Sequence, residues 1–275
     1  MRRAAVLTIA AATFASGCSR SGSEDHAWEW TNQIEPGSIV HIRNGVGNIT
    51  VRQAAEGRLA TVTGGRRWRS ARESDVQFVV NHTGNEYYVC AMWKHSGDCS
   101  ASGYHGRSSS FLDAFALFHR SRDVTASFVA QLPADVIVDA RTTSGTIDVE
   151  GVSSGLTAKA TNVIVTATHV SGPIALSTTN GNVNLSVDAT GAADSIHVAT
   201  TNGIIKAQLP PTIDGTFDLS VTNGSLRSDL PINVEKGARR GGHIAGQIGS
   251  SARIVRMHAI NGNVSVTTKA GPASH

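Results

Sequence analysis

Two groups of residues could carry chemistry on this chain. Residues 151–155 read Gly-Val-Ser-Ser-Gly, a G-x-S-x-G pattern in which Ser153 would be a nucleophile. Asp148 and Glu150 lie two residues apart, so on a strand they share one face, where paired carboxylates could do the acid-base work of glycoside cleavage. The serine needs a strand before it and a helix after it, whereas the acids need neighbours that separate their pKa values.

Both groups lie inside a sequence repeat that predicts a different setting. A phrase of the Thr-Asn-Gly type recurs with central residues 18, 18, 22, 21 and 38 positions apart, and a related Asn-Gly pair precedes it. A period near 20 is typical of a solenoid, and Asn-Gly favours tight corners because both residues tolerate positive φ. We interpret the 38-residue gap as two rungs with one degenerate phrase between them. The predicted corner residues are Asn44, Gly45, Ser144, Gly145, Asn162, Asn180, Gly181, Asn202, Gly203, Asn223, Gly224, Asn261 and Gly262.

The flanks of each phrase alternate with the period of a half-buried strand. Six and four residues before each centre, and three and five after it, the positions are apolar apart from Ser228, and we expect them to form the core. They are Val138, Leu156, Ile174, Ile196, Phe217, Val255; Ala140, Ala158, Leu176, Val198, Leu219, Met257; Ile147, Val165, Val183, Ile205, Leu226, Val264; Val149, Ala167, Leu185, Ala207, Ser228 and Val266.

Polar residues also repeat at fixed positions. The residue before the centre is Thr143, Thr161, Thr179, Thr201 or Thr222, with Ile260 in the last phrase. Stacked rungs would align these residues into a threonine ladder beside an asparagine ladder, and identical polar side chains in such columns can bond along the stack. The sequence therefore predicts an all-β fold, a single elongated β-solenoid of short stacked strands with Asn-Gly corners.

This setting disfavours catalysis. A strand of the repeat follows Ser153, so the motif is interpreted as a corner and a chance match. The columns that contain Asp148 and Asp139 mix acids with bases and neutral residues, as expected of a solvated face. The sequence carries no P-loop and no dinucleotide fingerprint. We expect no enzyme activity, no cofactor and no metal site.

The net charge of the chain does not point to a particular class of partner. The formal net charge is +3 and 16% of the residues are charged, so no strong field attracts nucleic acid. The densest basic run holds Arg66, Arg67, Arg69 and Arg72 around Trp68. It could contact phosphate or an anionic glycan, or it could be a solvated loop beside strands.

The N-terminal residues predict export. Residues 1–17 combine Arg2 and Arg3 with a short apolar run and small residues, as in a signal peptide. Ala-Ser-Gly-Cys at residues 15–18 resembles a bacterial lipobox, which implies cleavage before Cys18 and lipid on that residue; plain secretion is the alternative. Residues 18–35 would then be a tether, followed by the domain at residues 36–275, and Ser19 implies the outer membrane.

Cys90 and Cys99 are predicted to form a disulfide, because an exported chain meets an oxidising compartment. Zinc binding with His95 and His105 is the alternative, although the spacing matches no standard zinc pattern.

An insertion at residues 97–122 interrupts the β pattern. Phe111, Phe115 and Phe118 share one helical face there, which predicts a short helix. The helix could cover the open end of the solenoid or present an aromatic stripe to a partner or a membrane surface.

The chain resembles the bacterial family DUF4097, whose members are candidate adhesins. The resemblance rests on residues 127–162, on TTNGNVNL and TTNGIIKAQLP, and on residues 230–249 and 259–266. It implies a β-solenoid protein of the cell envelope and brings no catalytic residues with it. We expect a binding or scaffold module, with an envelope glycan or protein as partner. A polysaccharide-active enzyme and a purely structural envelope component are the alternatives.

Overall fold

The computed structural model describes residues 23–55, 57–68, 76–93, 99–100, 124–189, 191, 194–240 and 242–269, with the side chains of 23–27 and 234–240 left aside. Across these ranges the chain forms seventeen β-strands and no helix. The strands are β1 Ser23–Gln33, β2 Ile39–Val46, β3 Ile49–Gln53, β4 Leu59–Trp68, β5 Val76–Thr83, β6 Glu86–Trp93, β7 Val124–Leu132, β8 Ile137–Glu150, β9 Leu156–Ser171, β10 Ile174–Asn180, β11 Val183–Ala189, β12 Ile196–Leu209, β13 Gly215–Asn223, β14 Leu226–Ser228, β15 Asn233–Arg240, β16 His243–Ile248 and β17 Ile254–Thr268.

Each rung of the stack is a strand or strand pair that turns one corner. β8, β9, β12 and β17 continue through their corners, whereas β2/β3, β10/β11 and β13/β14 are divided there. Strand segments before the corners pair in parallel to form the first flank, and segments after the corners form the second flank. The fold is therefore all-β and solenoid-like, as the repeat predicts.

The apolar columns named above face the space between the two flanks. All of their members are buried except Leu226 and Ser228, which are half-buried in the last rung. A rung this thin can bury its apolar side chains only when neighbouring rungs cover it, so the core runs along the stack. The prediction of a buried core from strand periodicity is confirmed.

The order of the rungs in space differs from their order in the chain. β17 pairs with β12 on one side and with β13/β14 on the other, so Asn261 lies between Asn202 and Asn223. The 38-residue gap holds β15 and β16, an antiparallel pair that extends the first flank beyond β13, instead of the expected degenerate rung. A repeat fixes which residues share a column, but not which rungs are neighbours, because every rung presents the same edges.

The N-terminal end of the stack is closed by antiparallel strands. β5 pairs with β6 on the first flank, while β1, β4 and β7 continue the second flank. Between them Trp28 packs against Phe78 at 5.2 Å and against Phe128 at 6.3 Å between ring centroids. These aromatic rings fill the end of the core, so the strands before the regular repeat act as its cap.

β1 corrects the predicted tether at residues 18–35. Residues 23–33 form this strand and pair with β4 along most of its length. Trp28 and Trp30 pack against the core, and this burial attaches the segment to the sheet.

Several predictions fall outside the described residues. They are the signal peptide at 1–17, the lipid site at Cys18, the zinc alternative with His95 and His105, and the helix bearing Phe111, Phe115 and Phe118. In the part of the chain that the structure describes, no helix has the length and apolar character needed to cross a membrane.

Candidate binding surface

The corners carry a continuous asparagine ladder. The side-chain amide of Asn180 donates to Asn162 Oδ1 at 2.9 Å, and Asn202 donates to Asn180 at 2.7 Å. Asn261 donates to Asn202 and Asn223 donates to Asn261, both at 2.8 Å. All four bonds point in one direction along the stack, and all five side chains lie on the exposed edge where the flanks meet.

Glycine allows these corners to stack closely. A Cβ on Gly203 would lie 1.8 Å from the carbonyl oxygen of Gly181, and a Cβ on Gly181 equally close to that of Val163. Gly262 and Gly224 meet the rung beside them in the same way. Val163 takes the glycine position of its own rung and buries its side chain in the core. The repeated glycine is thus required by contact between backbones of neighbouring rungs.

Buried threonines hydrogen-bond to the corners from the inner side. They lie one residue before the threonine column that the sequence predicts. Thr142, Thr178 and Thr200 are buried, and their hydroxyls donate to the corner carbonyls of Gly47, Val163 and Gly181 at 3.1–3.3 Å. The predicted column of Thr143, Thr161, Thr179, Thr201 and Thr222 faces outward, half-buried or exposed. It forms the border of the asparagine ladder.

The first corner is placed differently from the prediction. Asn44 pairs with Thr142 and Val46 with Ser144, so Val46 and Gly47 occupy the corner positions assigned to Asn44 and Gly45. Asn44 is buried, and its amide donates to the carbonyl of Ala126 at 2.7 Å. The Asn-Gly dipeptide was a misleading signal in this rung.

In three rungs a second asparagine, two residues after the centre, also marks the corner. The Oδ1 atoms of Asn48, Asn182 and Asn263 accept the backbone N–H of the neighbouring rung at 2.9–3.1 Å. Asn48 follows Gly47 as Asn182 follows Gly181, so this residue would have given the correct alignment of the first rung.

The ladder leads into a pocket. Beyond Asn162 the corner column continues with Ser144 and Val46, whose side chains do not extend the amide ladder. A cavity of about 430 Å³ opens there, lined by Val46, Gly47, Asn48, Gly65, Arg66, Arg67, Thr125, Ser127, Ser144 and Gly145. It combines hydroxyl groups, glycine backbone and two arginines.

The two arginines belong to β4. The alternative interpretation of the basic run as a solvated loop is therefore wrong for this part of it. Arg66 donates to the carbonyl of Val76 at 3.2 Å and lies over the Phe78 ring, 5.6 Å from its centroid. Arg67 is exposed beside it. Arg69 and Arg72 fall outside the described residues.

A separate cluster of charged side chains is buried on the outward side of the first flank. His41 Nδ1 lies 3.0 Å from Asp139 Oδ2, and His41 Nε2 lies 3.3 Å from Glu86 Oε2. Arg43 contacts the same Asp139 oxygen at 2.5 Å, Arg141 contacts it at 3.0 Å, and the Tyr88 ring stacks on His41. Asp139 and His41 are only 7% exposed and Arg43 only 2%, so this cluster joins three neighbouring strands in a region of low solvent access.

The cluster perturbs the protonation of its members. Burial alone would raise the pKa of Asp139, but hydrogen bonds from His41, Arg43 and Arg141 and the positive charge of Arg43 hold that pKa well below its usual range. The hydrogen bond from the Tyr88 hydroxyl lowers the pKa of Glu86, and the same bond raises the pKa of Tyr88. Sequence reasoning missed the cluster, because His41 and Asp139 become neighbours only through the register of β2 and β8.

The disulfide between Cys90 and Cys99 is present, with a Cα–Cα distance of 5.9 Å, as predicted. Tyr88, Cys90, Met92 and Cys99 form a small apolar group outside the main core. Asn81 donates to the carbonyl of Cys99 at 3.0 Å. The bridge thus holds the chain after β6 against the outward side of the first flank. In the described ranges no three His, Cys, Asp or Glu side chains converge as metal ligands would.

The residues considered for catalysis are engaged elsewhere. Arg52 contacts Asp148 at 2.6 Å and Glu150 at 3.1 Å, so one cation serves both carboxylates. The Ser153 hydroxyl donates to the carbonyl of Ala134 at 2.6 Å, and the strand β9 follows it.

The Toastrack DUF4097 family model matches residues 91–267, so the chain belongs to that family. A search of curated proteins gives no significant match.

Among solved structures, the chain is similar to a candidate cell-adhesion protein from Clostridium sporogenes, with 14% identity, a TM-score of 0.47, and coverage of 88% of this chain and 99% of that chain. It is also similar to a candidate adhesin from Bacteroides fragilis, with 11% identity, a TM-score of 0.35, and coverage of 92% and 100%.

Proposed function

We propose that this protein is a non-enzymatic binding module of the cell envelope, an adhesin-type protein that meets its partner along the corner edge. The surface consists of the asparagine ladder from Asn162 to Asn223 and the outward threonines beside it. The partner is an envelope glycan or protein, and the module is held at the outer membrane through lipid on Cys18. Family membership and the candidate-adhesin neighbours support this role at the level of class.

The observation that carries the proposal is the regular, exposed and fixed array of amides. Each inner amide of the ladder uses one N–H and one acceptor site within it, so Asn180, Asn202 and Asn261 retain a donor and an acceptor site for a ligand. Rungs repeat at about 4.8 Å, which presents these groups in a straight row. Because the ladder already fixes the side chains, binding costs little additional side-chain entropy.

The state of the acids and the serine supports a role without catalysis. A carboxylate pair that performs acid-base chemistry needs one member with a raised pKa. Asp148 and Glu150 instead both contact the guanidinium of Arg52, so each carboxylate is engaged in an ion pair. Ser153→Ala, and separately Asp148→Asn with Glu150→Gln, should leave the cellular phenotype intact. Loss of function in a folded, exported variant of either kind would favour an enzyme.

A crosslinking experiment tests the binding edge. The protein is captured from crosslinked cell envelopes, and the captured glycans and proteins are compared between wild type and the variant Thr179→Arg with Thr201→Arg. These substitutions place two long charged side chains beside the ladder. Thr216→Arg, also at an exposed position on the first flank, is the control. We expect the double variant to lose its partner and the control to keep it; capture that is equal in all three proteins would contradict the proposal.

A further inference from the structure

We propose that the pocket at the Asn162 end of the ladder binds an anionic substituent of a glycan, a carboxylate or a phosphate. The inference rests on the proposed binding edge and names the chemistry of its ligand. An extended chain lying along the ladder would place one charged group in this pocket.

Position is the first argument. The pocket lies on the same corner column as the ladder, where Ser144 and Val46 replace asparagine. A ligand that follows the amide row therefore reaches the pocket without leaving the edge. The five asparagines span about 19 Å at the usual strand spacing, which corresponds to several sugar units.

Charge and hydrogen-bonding capacity are the second argument. Arg66 and Arg67 line the pocket together with Thr125, Ser127 and Ser144, and none of the lining residues that the structure describes is acidic. Arginine and hydroxyl groups offer donors, which suit carboxylate and phosphate oxygens. Arg66 is also held in place, by its bond to the Val76 carbonyl and its position over the Phe78 ring.

Two acidic residues belong to the strand beside β4. Glu24 pairs in register with Arg67, and Asp25 with Arg66, along β1. Substituting both by their amides removes two negative charges from this strand and should leave binding of an anion at least as tight.

Calorimetric titration of the purified protein provides the test. The probes are a short oligogalacturonate, the same oligosaccharide with its carboxyl groups methyl-esterified, a mannose-6-phosphate-bearing oligosaccharide, and inorganic phosphate alone. We expect at least one charged oligosaccharide to bind about tenfold or more tightly than the esterified one. The preferred charged probe identifies carboxylate or phosphate, and free phosphate should bind more weakly because it makes no contact with the ladder.

Substitutions locate the binding. Arg67→Gln should weaken binding of the charged probe about tenfold, and Ser127→Glu, which places a carboxylate in the pocket, should abolish it. Arg227→Gln removes the same charge from an exposed position on β14, far along the stack, and should have no effect. Glu24→Gln with Asp25→Asn should bind at least as tightly as wild type. Unfolding midpoints confirm that the variants are folded.

Several results would overturn the inference. They are equal binding of charged and esterified probes, equal losses in Arg67→Gln and Arg227→Gln, weakened binding in the β1 double variant, or no binding of either charged oligosaccharide. If the Thr179 and Thr201 variant still loses its envelope partner in such a case, the pocket assignment is wrong while the binding edge stands. If envelope capture is unchanged as well, both proposals are wrong.

Discussion

Asp139 shows at the scale of one residue how strongly register shapes this protein. The carboxylate accepts contacts from His41, Arg43 and Arg141 in a region of low solvent access, and each partner lies on its own strand or on the neighbouring β2. Removing one member of such a cluster leaves the others buried without compensation, and this loss is costly. The cluster therefore acts as a specific connection between the capped end and the regular stack.

We expect Asp139→Asn to lower the free energy of unfolding by about 3–5 kcal/mol, because Arg43 would keep its buried charge and lose the carboxylate that contacts it. Asp148→Asn is the matched control, since Asp148 forms a similar contact with Arg52 at the exposed surface and should cost no more than about 1 kcal/mol. Urea unfolding of the two variants decides this. Equal losses would show that burial does not control the strength of these pairs.

The lowered pKa of Asp139 also predicts a pH dependence. A carboxyl whose pKa is lower in the folded than in the unfolded state stabilises the fold above its ordinary pKa of about 4 and loses this contribution as the pH falls further. When the pH is lowered from 5 to about 2–3, the free energy of unfolding should therefore fall more in wild type than in Asp139→Asn. If urea midpoints of wild type and variant fall in parallel over that range, Asp139 is not the group responsible.

Replacing a corner glycine should destabilise the protein through a steric clash between neighbouring rungs. Gly203→Ala would force a methyl group against the backbone carbonyl of Gly181, and the neighbouring rung would have to move. We expect a loss of about 3 kcal/mol, at the upper end of overpacking costs. Gly37→Ala is the control: its φ of 73° is strained for alanine, but open space surrounds the site, so about 1–2 kcal/mol is expected. Thermal or urea unfolding should rank the two in that order.

At the scale of elements, the asparagine ladder connects neighbouring rungs. Asn202→Ala removes two ladder bonds, whereas Asn223→Ala at the end of the ladder removes one. With a net value of about 0.5–1.5 kcal/mol for each hydrogen bond, the inner substitution should cost roughly twice as much as the terminal one. Denaturant unfolding measures both. A terminal variant as destabilised as the inner one would mean that the ladder does not act through its hydrogen bonds.

The elements also show what the sequence could predict. Residues two apart in one strand share a face by backbone geometry alone, so the buried columns from Val138 to Val266 could be predicted from local pattern. Local pattern could not predict which strands lie beside β17, because the rungs have identical corner residues and each could pair with any other. The displaced first corner follows from the same ambiguity, since Asn44 and Asn48 both fit an asparagine signal. The position of β1 depended on Trp28 meeting Phe78, a contact between residues far apart in the chain.

The candidate site was predictable only in part. The exposed asparagines follow from the repeat, so their alignment could be expected. The pocket requires β4 to bring Arg66 and Arg67 beside the corner of β8, and no spacing in the sequence indicates that approach.

For the whole molecule, the cellular location and membrane anchoring are the first properties to establish. We expect Cys18 to be the first residue of the mature protein and to carry lipid on its thiol and amino group, because a basic start, a short apolar run and Ala-Ser-Gly precede it. Mass spectrometry of protein isolated from membranes measures this. The variant Cys18→Ser should be released from the membrane fraction; an unmodified Cys18, or a different first residue, would contradict the expectation.

The position of β17 has a consequence for how the protein is made. A ribosome delivers β13 and β14 before it has synthesised residues 254–268, yet in the finished fold those residues separate β12 from β13 and β14. The stack therefore cannot grow rung by rung during synthesis, as a simple repeat could. Deleting β17 would therefore remove a layer from inside the stack, although the strand lies near the end of the sequence. The contact of β13 and β14 with the rest of the stack depends on these residues, which are synthesised last.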